Sequence, residues 1–178
     1  MKIIKTNFEG LFLIKKEKYL DNRGEFLEIF RNDSSFNFEN NDINFCQDNL
    51  VSSSINVLRG LHFQKNPYSQ SKLISVIRGV ILDVVVDLRP NSITYGEYFS
   101  IELSYENNLS LFVPNNFAHG YLSLTHDTLV HYKVDNYYNK KFESGIRFND
   151  PSLKIDWGIK NDKIIISNRD KNFPDFKW

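Results

Sequence analysis

A chain of 178 residues lies within the range of one domain and is long enough to bury a substantial core. Lys and Arg number 22 against 22 Asp and Glu, a net charge of zero that offers no basic surface to a phosphate backbone or an anionic membrane, so nucleic acid and membrane are excluded as partners. The 41% hydrophobic content is that of a globular protein, and the single Cys46 excludes an intramolecular disulfide and a thiolate metal site.

The opening stretch is broken by Asn7, Glu9 and Lys15, so it has neither the apolar run nor the cleavage site of a secretory leader. No segment reaches the roughly 18 apolar residues of a membrane helix. The expectation is a soluble, cytoplasmic protein made of one domain over residues 1–178. Residues Asn32 to Asn41 are polar enough for a mobile loop or a short helix. Strands are expected over Phe45–Val51, Lys72–Ile77, Val80–Leu88, Glu97–Leu103, Leu109–Val113, Gly120–Leu124 and Thr128–Val134, all rich in Ile, Val, Phe and Tyr. The alternation is clearest in the third, where Asp83 and Asp87 share one parity and Leu82, Val84 and Val86 the other. Turn signals separate the strands at Asn66-Pro67, Arg78-Gly79, Arg89-Pro90 and Pro114-Asn115. Short strands without helical crossovers give an all-β class, an antiparallel jelly-roll barrel with few short helices. The tail from Ser167 to Trp178 carries three aromatics and is expected to dock on the barrel. Aromatic residues make up 15% of the chain, which suggests wide apolar walls and flat ligands stacked on them.

Four histidines are present. His62 and His119 sit beside glycines in Arg59-Gly60-Leu61-His62 and Ala118-His119-Gly120, a pattern read here as close backbone approach to a ligand. His126 and His131 read as ordinary surface or strand positions. Barrels that hold a cation through His-x-His lack a counterpart here, because the sequence after His62 is Phe63-Gln64; no metal and no cofactor are expected. Lys72 shares parity with Ile74 and Val76, which makes it either an inward cation or a lysine snorkelling from a strand end. Tyr132 shares parity with Val130 and Thr128 and raises the same question.

Taken in order, Asp21-x-Arg23-Gly-x-Phe26-x-Glu28, Gln47-Asp48-Asn49, Leu58-Arg-Gly-Leu-His-Phe-Gln64, Ala118-His-Gly120, Val130-x-Tyr132, Tyr138, Gly145-Ile146, Asn149-Asp-Pro151 and Ser167-x-Arg-Asp170 resemble the dTDP-4-dehydrorhamnose 3,5-epimerase family. The resemblance covers nearly the whole chain. It implies a metal-free cupin jelly roll acting as a homodimer on a dTDP-linked 4-keto-6-deoxyhexose, on the route to activated L-rhamnose for cell-surface polysaccharide. By the same matching, His62 falls on the base, Asp170 on its paired carboxylate, Lys72 on the cation at the developing oxyanion, and Tyr132 on the acid of the opposite face. Arg23, Phe26, Glu28, Gln47, Asp48, Asn49, Arg59, His119, Glu143 and Arg169 fall on substrate-binding positions, and Tyr138 on the aromatic that stacks with thymine. The chain departs from the family pattern at Trp157-Gly158, where Trp-Pro is common.

The chemistry is consistent with the residue types. A hydrogen next to a ketone is removable when a base takes it and a cation holds the enolate oxygen. Imidazole titrates near neutrality and suits the base, whereas a phenol remains protonated and can return a proton. Inversion at C3 or C5 alone and 3,4-ketoisomerisation are the competing enzymatic readings. A non-catalytic sugar-nucleotide-binding barrel is the third, and it gives no reason for an acid, a base and a cation together.

Overall fold

A computed structural model of the protein describes residues 1–32 and 43–177. Apart from Asn32, the stretch expected as a loop or helix from Asn32 to Asn41 lies outside the described residues, as does Trp178. Fourteen strands and a single short α-helix are found among the described residues. Two hairpins come first: β1 (Lys2–Lys5) with β2 (Phe12–Lys15), then β3 (Lys18–Asp21) with β4 (Gly24–Leu27). The barrel strands are β5 (Gln47–Ser53), β6 (Val57–Gln64), β7 (Lys72–Arg78), β8 (Val80–Asp87), β9 (Tyr98–Ser104), β10 (Leu109–Val113), β11 (Phe117–Ser123) and β12 (Thr128–Val134). The C-terminal part adds β13 (Glu143–Gly145), β14 (Ile165–Ile166) and α1 (Asn168–Lys171).

Apart from the β3–β4 hairpin, which is a two-stranded sheet of its own, these strands form two facing sheets, a jelly roll of the cupin type. The first runs β1-β2-β10-β7-β12-β5 and the second β13-β6-β11-β8-β9, with β14 added parallel to β6. Ile74, Val76, Leu111 and Val130 of the first sheet pack between the layers against Ile81, Val85, Leu103 and Phe117 of the second. The outer face of the second sheet is covered too, since Leu58, Leu61, Val84 and Val86 pack on Ile146, Phe148, Leu153 and Trp157 of the C-terminal part. A strand buried on both faces no longer needs a polar side, and β8 shows it: Asp83 and Asp87 lie on the inner face and are completely buried.

All seven expected strands are present, with ends shifted by three residues or fewer. Missed were the two N-terminal hairpins, β6 and the short strands after residue 140. The tail docks as expected, through Phe176 on Tyr95 and an Arg147–Asp175 ion pair of 2.7 Å. Trp157 is buried with its indole N–H donating to the Phe148 carbonyl, and Gly158 follows it in a left-handed turn (φ 71°), so this departure from the family pattern lies in the outer cluster.

Candidate active site

One end of the barrel opens into a cavity of about 700 Å³ between the two sheets. From the second sheet, β6 contributes Arg59 and His62, and β11 contributes His119 and Tyr121. From the first sheet, Lys72, Val130, Tyr132 and Val51 face them. Glu143 of β13, Tyr138 of the preceding loop, and Ser167, Arg169 and Asp170 close one side.

Arg59 and His62 are three residues apart and in a regular strand would point to opposite faces. A bulge resolves this. His62 registers against His119 and Arg59 against Tyr121, so β6 spends three steps where β11 spends two. Gly60 sits in the bulge at φ 127°, and a Cβ there would come within 2.5 Å of Gly120 Cα. A Cβ on Gly120 would lie 2.7 Å from the Arg59 carbonyl oxygen. The glycines beside the two histidines therefore mark close approach of strand to strand. The expectation of approach to a ligand is corrected on this point.

His62 Nε2 lies 2.9 Å from Asp170 Oδ1, and Asp170 Oδ2 accepts the Gly60 N–H at 3.1 Å. Asp170 is buried, which alone would raise its pKa. The hydrogen bond and charge of His62, the Gly60 N–H and the Arg169 guanidinium outweigh burial and hold the carboxyl well below the usual carboxylate range. It stands on α1, capped by the Ser167 hydroxyl, which accepts the Asp170 N–H at 3.0 Å. Arg169 reaches Asp170 Oδ1 (3.1 Å), both Glu143 oxygens (3.0 Å) and the neighbourhood of His62 Nε2 (3.3 Å). Tyr138 donates its hydroxyl to Glu143 at 2.9 Å while keeping an exposed ring.

Lys72 points inward, as its parity with Ile74 and Val76 allows, with Nζ 3.5 Å from the His62 carbonyl oxygen. Desolvation lowers its pKa to about 8, against the pull of Asp83 and Glu143. Tyr132 packs on the inter-sheet core, and desolvation raises its pKa, with Arg59 opposing, so the phenol keeps its proton at neutral pH. His119 donates its Nε2–H to the Asp83 carboxylate at 2.9 Å. Asp83, fully buried behind the cavity residue His119, is a supporting residue that sequence reasoning missed. In an alternating strand a carboxylate on one parity reads as the exposed side, so the sequence carried no local signal of its burial. Tyr121 was missed as well; its hydroxyl lies 3.2 Å from Ser53 Oγ, which in turn accepts Arg59 Nε at 3.1 Å.

Several expected site residues lie elsewhere. Gln47 and Asn49 are bonded to each other (2.8 Å) on β5, with Asn49 registered beside Tyr132, but neither lines the cavity. Asp48 faces the outer side of the first sheet, between His131 (2.8 Å) and Lys133 (2.6 Å). Arg23, Phe26 and Glu28 are on or just beyond the β3–β4 hairpin and do not line the cavity. Arg23 pairs there with Asp21 and Glu28 with Arg31, while Phe26 is 65% exposed. His126 is exposed in a turn. Among the described residues no three His, Cys, Asp or Glu side chains converge as metal ligands, and no helix is long and apolar enough to cross a membrane.

Residues 5–177 match the family model described as dTDP-4-dehydrorhamnose 3,5-epimerase. The chain belongs to the dTDP-4-dehydrorhamnose 3,5-epimerase family. It is 45% identical to the enzyme of that name from Methanothermobacter thermautotrophicus, over 97% of this chain and 92% of the relative. The epimerase from Elizabethkingia anophelis superposes with a TM-score of 0.93 at 43% identity, covering 99% of this chain and 96% of the other. The Bacillus anthracis epimerase, with TDP and PPi bound, gives 0.93 at 40% identity, over 98% and 99%. Members of the family are isomerases, and the epimerase fold extends over the whole cavity just described.

Proposed function

We propose that this chain inverts C3 and C5 of dTDP-4-dehydro-6-deoxy-D-glucose, giving dTDP-4-dehydro-L-rhamnose. The observation that carries the reading is the placement of a base and an acid on opposite sheets: His62 with its carboxylate on β6, Tyr132 on β12. A flat sugar ring held between the sheets presents one face to each, which is what inversion through an enolate requires.

Asp170 accepts a proton carried by His62 Nε2, so the lone pair that removes the substrate proton belongs to Nδ1. A protonated Nε2 cannot also accept from Arg169, so the 3.3 Å approach of that guanidinium is a packing contact and not a hydrogen bond. Proton removal puts negative charge on the C4 oxygen, and Lys72 is the desolvated cation available to hold it. Tyr132 then delivers its proton from the other face; His62 releases to solvent the proton it took and Tyr132 regains one from solvent, after which the sequence repeats at the second carbon. His119, oriented by Asp83, lies across from His62 and offers a polar group to the sugar. Arg59, steadied by Ser53 and the Ser52 carbonyl, is placed for the diphosphate, and the exposed Tyr138 ring for the pyrimidine.

The working form is a homodimer of one-domain chains, acting in the cytoplasm. The support is the β3–β4 hairpin, whose Tyr19, Leu20 and Phe26 are 58%, 75% and 65% exposed. A two-stranded hairpin with such a surface is marginal alone. Arg23, Phe26 and Glu28 match nucleotide-binding positions yet lie off their own chain's cavity, so a second copy receives them.

The test is incubation with dTDP-4-keto-6-deoxyglucose followed by a stereospecific ketoreductase that traps the product. The L-rhamno configuration is expected. Inversion at one carbon only, or a 3-keto product, would give the single-carbon epimerase or the ketoisomerase instead.

A further inference from the structure

Asp170 owes its place to a helix of a single turn, which has no stability of its own. Something outside α1 must hold it against His62. Phe173, two residues after the helix, is half-buried and fills the gap between β13 and the imidazole. Its ring stands edge-on to His62, centroids 5.6 Å apart at 76°. It occupies the space where a side chain of residue 145 would be: a Cβ built on Gly145 would collide with the ring, with Cζ 2.6 Å away. Gly145 is itself registered opposite His62 in the β13–β6 pair. The Arg169 guanidinium lies 6.0 Å from the same ring, and the Phe173 N–H points at the Asp170 carbonyl from 3.5 Å. The later anchors of the tail, Pro174 to the Arg147 N–H and Phe176 to Asp150, lie further from the carboxylate.

We propose that Phe173 is a positioning residue for the epimerisation, seated on Gly145 so that its ring fixes both the His62 imidazole and the turn carrying Asp170. The inference rests on the reading of His62 as the base. The side chain never touches the sugar, and it acts through the geometry of the pair. A displacement of about 1 Å at reacting groups lowers a rate by roughly 100-fold, and that is the loss expected in kcat for Phe173→Ala. KM and dTDP affinity should remain within about threefold, because Tyr138, Arg59 and the hairpin are untouched.

Three variants are compared with the parent enzyme by kcat, KM, melting temperature and the imidazole NMR spectrum of 15N-histidine-labelled protein. Phe173→Ala should lose the low-field Nε2 proton of His62 together with kcat. Gly145→Ala leaves Phe173 in the chain but places a methyl group in the ring's seat, so it should copy Phe173→Ala. Phe173→Leu keeps most of the apolar plug and should recover most of both readouts. If Phe173→Ala melts below the assay temperature, Gly145→Ala and Phe173→Leu decide between them. Unchanged kcat in Gly145→Ala, or a lowered kcat with the Nε2 proton signal intact, would overturn the proposal. A His62→Ala variant run alongside separates the two claims, since turnover surviving in it defeats the assignment of the base itself.

Discussion

Replacing Asp170 by Asn removes the charge and keeps the shape, and the surroundings leave the amide no good orientation. With its oxygen toward the Gly60 N–H, the NH2 group faces His62 Nε2 and the Arg169 Nε–H, forcing the wrong imidazole tautomer and opposing two donors. In the flipped orientation the NH2 group meets the buried Gly60 N–H, an orphaned donor that costs about 1–3 kcal/mol. The lost charge-assisted bond to the imidazolium is itself worth about 1.5–3 kcal/mol, or roughly 10- to 150-fold in rate. The tautomer fault adds to it, as in hydrolase triads where the same exchange costs about 10,000-fold. A kcat loss between about 100- and 10,000-fold is therefore expected, with dTDP affinity by calorimetry within about threefold. Folding stability gives a second readout. Asp170 titrates below its unfolded value of 3.8, so its contribution is present above about pH 5 and is lost as pH falls toward the folded pKa; Asp170→Asn should flatten that acid loss. A kcat within threefold of the parent enzyme would refute the pairing of Asp170 with His62 as part of the chemistry.

Tyr132→Phe should retain deuterium wash-in while inversion falls by a further factor of about 100 or more, because the enolate forms and is reprotonated from its original face. The Lys72 ammonium is present below its pKa of about 8, so kcat/KM should fall on the alkaline side near pH 8, and Lys72→Met should lower kcat and abolish that limb. Lys16, buried beside Ser110 (2.8 Å) and Ser75 (3.4 Å), has its pKa lowered to about 8 by desolvation. The unfolded chain binds more protons between that value and 10.5, so melting temperature should rise with pH over this window, less steeply in Lys16→Met. Light scattering should give twice the chain mass of 21.0 kDa, and mixing inactive Arg23→Ala with inactive His62→Ala should restore up to about a quarter of the activity through hybrid dimers; no recovery would count against a shared site.

The barrel was legible where β-branched runs alternate, as in β8 and β12, and illegible where the pattern is broken for a reason. β6 carries His62 yet escaped notice because the bulge at Gly60 changes its parity, leaving Arg59 and His62 without a common period. The strands of the N-terminal hairpins are only four residues each, too short to display an alternation, and β1 is an exposed edge. Parity allowed an inward Lys72 and Tyr132 without deciding it, and the family resemblance is what assigned them to the site. Asp83 and Asp87 looked like the wet side of a strand, since nothing local tells that the C-terminal segment of Ile146 to Trp157 covers the other face. The off-cavity placement of Arg23, Phe26 and Glu28 could not be read from motif matching, which orders residues along one chain and carries no information about which copy supplies them.

The most direct measurement is proton NMR of dTDP-4-keto-6-deoxyglucose turned over in deuterated water, with the parent enzyme and His62→Ala side by side. The parent should place one deuterium at C3 and one at C5, each in the inverted configuration, and His62→Ala should leave both positions protonated. Deuterium appearing at either carbon in His62→Ala at a rate near the parent's would contradict the assignment of His62 as the base.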